Sequence, residues 1–112
     1  MRDHDVDLER TVLGSVLCRP RPNAETVARL RLTDFIVPAH RFIFAAIADL
    51  TRGGYAADII AVERSLRDMG RLELVGGMAT LAAIAACADY RPAIVAWSVD
   101  ELQALAALRA PS

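Results

Sequence analysis

The chain has 112 residues, room for one domain with a modest core, and its formal net charge of −1 excludes a general electrostatic trap for phosphates. It is 54% hydrophobic but only 5% aromatic. Alanine and leucine therefore supply most of the apolar content, and they favour helices where β-branched and aromatic residues would favour strands. All 13 basic residues are arginine, so a Walker A phosphate loop, a Schiff base and a lysine general base are excluded.

Punctuation divides the chain into about six helical segments without internal repeats or low-complexity linkers. In the first, Leu8, Val12, Leu13, Val16 and Leu17 follow helical spacing, and Asp5 or Asp7 suits the capping position. "CRPRPN" stops it, because proline cannot continue a helix and restricts the residue before it. Asn23 can cap a short second helix with Val27 and Leu30 inward. Pro38 suits the first turn of the third, whose Phe42, Ile43, Ala46, Ile47 and Leu50 make an apolar stripe ended by Gly53-Gly54.

Asp58 is a strong cap for the fourth helix, where Ile59, Val62, Leu66 and Met69 keep three-and-four spacing up to Gly70. The connection "RLELVGG" reads as short and semi-extended, its glycines allowing positive φ or a close approach before a fifth helix around Met78 to Cys87. Pro92 opens a sixth running to about Arg109. At 100° per residue its Ile94, Val95, Trp97, Val99, Leu102, Leu105 and Leu108 spread over roughly 200°, where a surface helix buries a stripe nearer 100° wide. A terminal helix this apolar is expected to pack on its own domain with one side and on another chain with the other.

Candidate catalytic groups are few. His4 stands between Asp3 and Asp5, a spacing that suits a metal only weakly, and its reading is a solvated chain end. His40 has no second histidine or cysteine at ligand spacing and reads as a capping, surface or partner-contact residue. Glu63 and Arg67 are an ordinary i,i+4 pair. No Gly-x-Ser-x-Gly is present, and "GGYAAD" and "LVGGMA" lack phosphate-cradle spacing. Arg19, Arg21, Arg29 and Arg31 cluster around the second helix, as a solvated face or a contact for an acidic partner or nucleic acid. Cys18 and Cys87 lack Cys-x-x-Cys spacing and are expected to be buried free thiols. The opening "MRDHDVD" has no signal-peptide pattern, and charges break the apolar runs well before the ~18 residues of a membrane span. The expected compartment is the cytoplasm, with no membrane contact. No enzyme, cofactor or metal site emerges.

The order of the motifs resembles the N-terminal, or collar, domain of the DnaB-type replicative DNA helicases. "ERTVLGSVL" from Glu9 to Leu17, with Leu13, Gly14 and Leu17, matches the family's opening pattern. Asp34, Phe35, Pro38, His40, Arg41, Ile43 and Phe44 match its Asp-Phe-x-x-Pro-x-His-Arg-x-Ile-Phe. Gly54, the Asp58-capped helix ending in "SLRDMG" at Gly70, "LELVGG" with Gly76 and Gly77, and a helix bearing Leu81 follow in order. The likeness runs from about Leu8 to about Ile84 and continues weakly to Arg109, with Trp97 at the place of a family tyrosine.

The resemblance implies an all-α, compact orthogonal bundle of about six helices. Residues 1–92 would form the globular head and 93–112 a longer C-terminal helix of the same domain, corresponding to the first arm of the family's helical hairpin. In the family these domains pair through hairpins into a collar that supports hexamer assembly and docks primase, while the motor domain hydrolyses nucleotide. The second arm, linker and motor domain are not in these residues, so the expected role is non-catalytic: homodimerisation, or docking of primase or helicase, with DNA contact indirect or weak. Ile94, Trp97, Leu102, Leu105 and Leu108 are the candidate interface. The alternative is a phage- or plasmid-type regulator that binds a host helicase and inhibits or loads it.

Overall fold

Seven α-helices and one 3-10 turn account for the regular structure in a computed structural model that describes residues 3–110. They are α1 (Asp3–Cys18), α2 (Ala24–Arg29), the 3-10 turn Leu32–Asp34, α3 (Pro38–Arg52), α4 (Ile59–Asp68), α5 (Leu72–Val75), α6 (Gly77–Ala85) and α7 (Pro92–Arg109). The fold is all-α, as the composition predicts, and no strand occurs among the described residues.

At the centre lies α1, which packs against α3, α6 and α7, with Leu8, Val12, Leu13, Val16 and Leu17 all buried. Helix α1 begins at Asp3, so Asp5 and Asp7 lie inside its first turns and are not its caps. The side chains of Asp3 and His4 lie outside the described residues, and with them the metal spacing considered above. Asn23 stands at the capping position of α2, yet its side chain turns back. Its Nδ2 donates to the carbonyls of Ser15 (3.1 Å) and Arg19 (3.0 Å), adding to the backbone N–H groups of Arg19 and Asn23 that these carbonyls also accept. Val27 and Leu30 are buried as their spacing predicts.

Helix α3 opens with Pro38 in its first turn and buries Ile43, Phe44, Ala46 and Ile47. Phe42 and Leu50 flank this stripe half-buried, and the Arg71 guanidinium lies 5.1 Å from the centre of the Phe42 ring, a cation–π contact. Phe35, fully buried, packs its ring 5.2 Å from that of Phe44 and closes one end of the core. Asp58 caps α4, its carboxylate accepting from the Ala61 N–H at 2.9 Å. Val62 and Leu66 of α4 are buried, and Met69 turns outward. Glu63 and Arg67 pair at 3.2 Å.

The segment "RLELVGG" is helical where a semi-extended connection is predicted. Leu72–Val75 form one turn, with Val75 buried and Leu72 packed on the core. Leucine and glutamate are good helix formers, and the core contact outweighs the breaking influence of the glycines beside them. The glycines act one step later. Gly76 (φ 101°) and Gly77 (φ 74°) both take the left-handed conformation and redirect the chain into α6.

Asp89 then ties the start of α7 to the end of α1. Its N–H donates to Ser15 Oγ at 3.0 Å, and its carboxylate accepts from the Arg91 N–H at 2.9 Å. The Arg91 guanidinium hydrogen-bonds the same carboxylate, and this, with the backbone bond, holds the Asp89 pKa at about 2. Helix α7 packs back along α1 and buries Val95, Ser98, Val99 and Leu102. Cys18 and Cys87 are free thiols but exposed, not buried, because each lies at a helix end. Their S–H groups donate to the carbonyls of Ala85 and Ala83.

Candidate interaction surface

Two of the motif residues, Glu9 and His40, meet in a buried polar joint. Glu9 is fully buried on α1, and one of its carboxylate oxygens accepts from the Ile36 N–H at 2.8 Å. The other accepts from the Val37 N–H at 3.3 Å and lies 2.8 Å from Nδ1 of His40. A carboxylate at this place satisfies backbone donors ahead of α3 and complements the positive end of that helix. The His40 side chain is itself buried, 4% exposed, against this carboxyl group. His40 is thus a scaffold residue, fixing α3 to α1. Arg41 donates from Nε to the Phe35 carbonyl at 2.7 Å and fixes the turn that delivers Phe35 to the core.

A second joint holds α7 to the 3-10 turn. The buried Asp34 carboxylate accepts from the Arg31 N–H (2.9 Å) and from Gln103 Nε2 (3.3 Å), which also donates to the Arg29 carbonyl (2.8 Å). Arg29 pairs with Asp100 at 2.7 Å on the surface. Glu9 and Gln103 are the two residues that sequence reasoning did not select for these roles. Glu9 is visible only as the acidic start of the first motif, and nothing local marks Gln103.

These joints fix which side of α7 is free. Leu102 is 1% exposed and belongs to the core, which removes it from the predicted interface. Leu105 packs against the core half-buried, and Ile94 is half-buried as well. Trp97 and Leu108 face outward, 52% and 82% exposed. At 100° per residue, Ala93, Ala104 and Leu108 all fall within roughly 40° of Trp97. They form an apolar stripe along the outer side of α7, with Glu101 about 40° from Trp97 at its edge and exposed Tyr90 just before the helix. Isolated exposed apolar residues need no explanation, whereas here a tryptophan and a leucine are aligned on one helix face. Among the described residues no group of three or more His, Cys, Asp or Glu side chains is placed to hold a metal, and no helix is long and apolar enough to cross a membrane.

The family model for the DnaB-like helicase N-terminal domain matches residues 1–97. The chain belongs to this family. Among similar proteins, the replicative DNA helicase DnaB of Leifsonia xyli subsp. xyli is 34% identical over 99 residues, covering 83% of this chain and 22% of that relative. The replicative DNA helicase DnaB of Mycobacterium leprae is 37% identical over 98 residues, 82% of this chain and 16% of its own length. The chain thus spans about a fifth of the length of these relatives. The crystal structure of the N-terminal domain of DnaB helicase from Mycobacterium tuberculosis superposes with a TM-score of 0.84 at 31% identity, covering 93% of this chain and 74% of that one.

In this DnaB-like domain the motif residues sort by what they touch. Leu13, Leu17, Phe35, Ile43 and Phe44 fill the core. Gly14 lets α1 and α6 approach, Asp58 caps α4, Pro38 opens α3, and Gly70, Gly76 and Gly77 turn the chain at helix ends. The second half of α7, with buried Leu102 and exposed Leu108, lies past the matched residues.

Proposed function

We propose that this chain is a non-catalytic module of the DNA-replication apparatus that works through protein contacts in the cytoplasm. Its outer α7 stripe mediates self-association into a homodimer, and the assembled domain docks replicative helicase or primase. The observation that carries this reading is the Trp97–Leu108 stripe, exposed on a domain of the DnaB-like N-terminal family. Tryptophan is the residue type most often found as an interface anchor, and truncating such an anchor costs about 2 kcal/mol or more, a roughly thirty-fold weaker association.

Light scattering coupled to size-exclusion chromatography tests it. The wild-type chain is expected to approach the mass of two copies as its concentration rises, and Trp97→Glu to stay monomeric at the same concentrations with an unchanged melting curve. A wild-type chain that is monomeric throughout, and whose elution does not change when replicative helicase or primase is added, would overturn the reading.

A further inference from the structure

The basic cluster seen in sequence around the second helix does not survive as a unit. Arg29 is tied to Asp100, while Arg31 is brought together with two arginines from distant parts of the chain. Arg31 precedes the 3-10 turn, Arg41 comes from the first turn of α3 and Arg109 from the last turn of α7. All three line one open groove of about 540 Å³ between the 3-10 turn and the end of α7.

Arg10, Arg29, Arg52, Arg67 and Arg91 each have a carboxylate partner. Among the described residues Arg31, Arg41 and Arg109 have no ion-pair partner. The one acid lining the groove is Asp34, which is 6% exposed and already accepts from the Arg31 N–H and from Gln103. Two of the guanidinium groups are positioned by backbone. Arg41 gives only its Nε–H to the Phe35 carbonyl, which leaves both terminal nitrogens for a ligand. A terminal nitrogen of Arg109 lies 3.4 Å from the Asp34 carbonyl. Ala106 and Ala107 from the last turns of α7, and Ala110 just after it, also line the groove.

We propose that this groove binds a short acidic segment of a protein partner, with carboxylates on the arginine forks and small apolar side chains against these alanines. Planar guanidinium groups recognise carboxylates bidentately, and the volume is that of a site for a few side chains. A nucleic-acid strand fits less well, because the chain carries net negative charge and the arginines form one cluster rather than a stripe that follows a backbone. Of the groove residues on α7, Gln103, Ala106 and Arg109 lie about 120–180° around the helix from Trp97, and only Ala107, about 80° away, comes near the stripe. The proposal does not depend on self-association.

The test is fluorescence anisotropy of a short labelled Glu-Ala peptide against the intact chain, with a Gln-Ala peptide and a single-stranded oligothymidine of equal length as comparators. Wild type is expected to bind the acidic peptide in preference to both. Arg31→Glu and Arg109→Glu, each with an unchanged melting curve, are expected to weaken binding by about tenfold or more. Trp97→Glu should bind as wild type does. Equal binding of the Gln-Ala peptide, equal binding by both arginine variants, absence of binding by wild type, or tighter arginine-dependent binding of the oligonucleotide would each overturn it.

Discussion

Replacing Glu9 with alanine is expected to lower the free energy of unfolding by about 3–5 kcal/mol, a large share of what a domain of this size possesses. The substitution removes the acceptor for the Ile36 and Val37 N–H groups and the hydrogen-bond partner of His40 Nδ1 at a fully buried position. Each abandoned donor costs about 1–3 kcal/mol, because water cannot replace the lost partner without opening the contact between α1 and α3. Glu9→Gln should lose less, since the amide oxygen still accepts while its NH₂ faces a donor. Urea denaturation followed by circular dichroism reads both variants. A loss below about 1 kcal/mol for the alanine variant would show that the joint is not a source of stability.

The second large effect is expected at Gly14, where the usual sign of a substitution reverses. Alanine in place of glycine inside a helix normally stabilises by about 1 kcal/mol. A Cβ built at Gly14 would meet the Ile84 carbonyl oxygen at 2.2 Å and the Ala88 nitrogen at 3.1 Å, both backbone atoms of the segment that α1 crosses. Neither can rotate away as a side chain would, so α1 and α6 must separate. Gly14→Ala is therefore expected to destabilise by about 2–3 kcal/mol. An increase in melting temperature would contradict the close approach.

Both effects depend on contacts between residues far apart in the chain, which marks where sequence reasoning stops. The helices were legible because their signals are local. Pro38 and Pro92 open helices, Asp58 caps one, and three-and-four spacing selects Val62 and Leu66 for the core. The misreadings also have local causes. Paired glycines after "LELV" suggested an extended connection, while burial of Val75 and packing of Leu72 hold it helical. Asn23 sits at a capping position, but its side-chain amide donates to carbonyls at and just past the end of α1 instead of accepting from α2.

For the candidate surface, the width of the apolar spread on the last helix was visible, but its inward side was not. That side is set by α1 and by the Asp34–Gln103 joint, which turn Leu102 into the core and leave Trp97 and Leu108 outside. His40 reads in sequence as a capping, surface or partner-contact residue, and its burial was not legible because its partner Glu9 lies 31 positions earlier with no local sign of the pairing. The same holds for the arginine groove, whose three members come from three separate segments.

The chain's single tryptophan is Trp97, at the centre of the surface on which the proposed function rests. Its emission spectrum, recorded across a wide dilution series, tests that proposal most directly. If the stripe is the self-association surface, the emission maximum moves to shorter wavelength as concentration rises and the ring leaves water, and Leu108→Glu shifts that transition to higher concentration. An emission maximum that stays at the water-exposed position at every concentration would contradict self-association through α7.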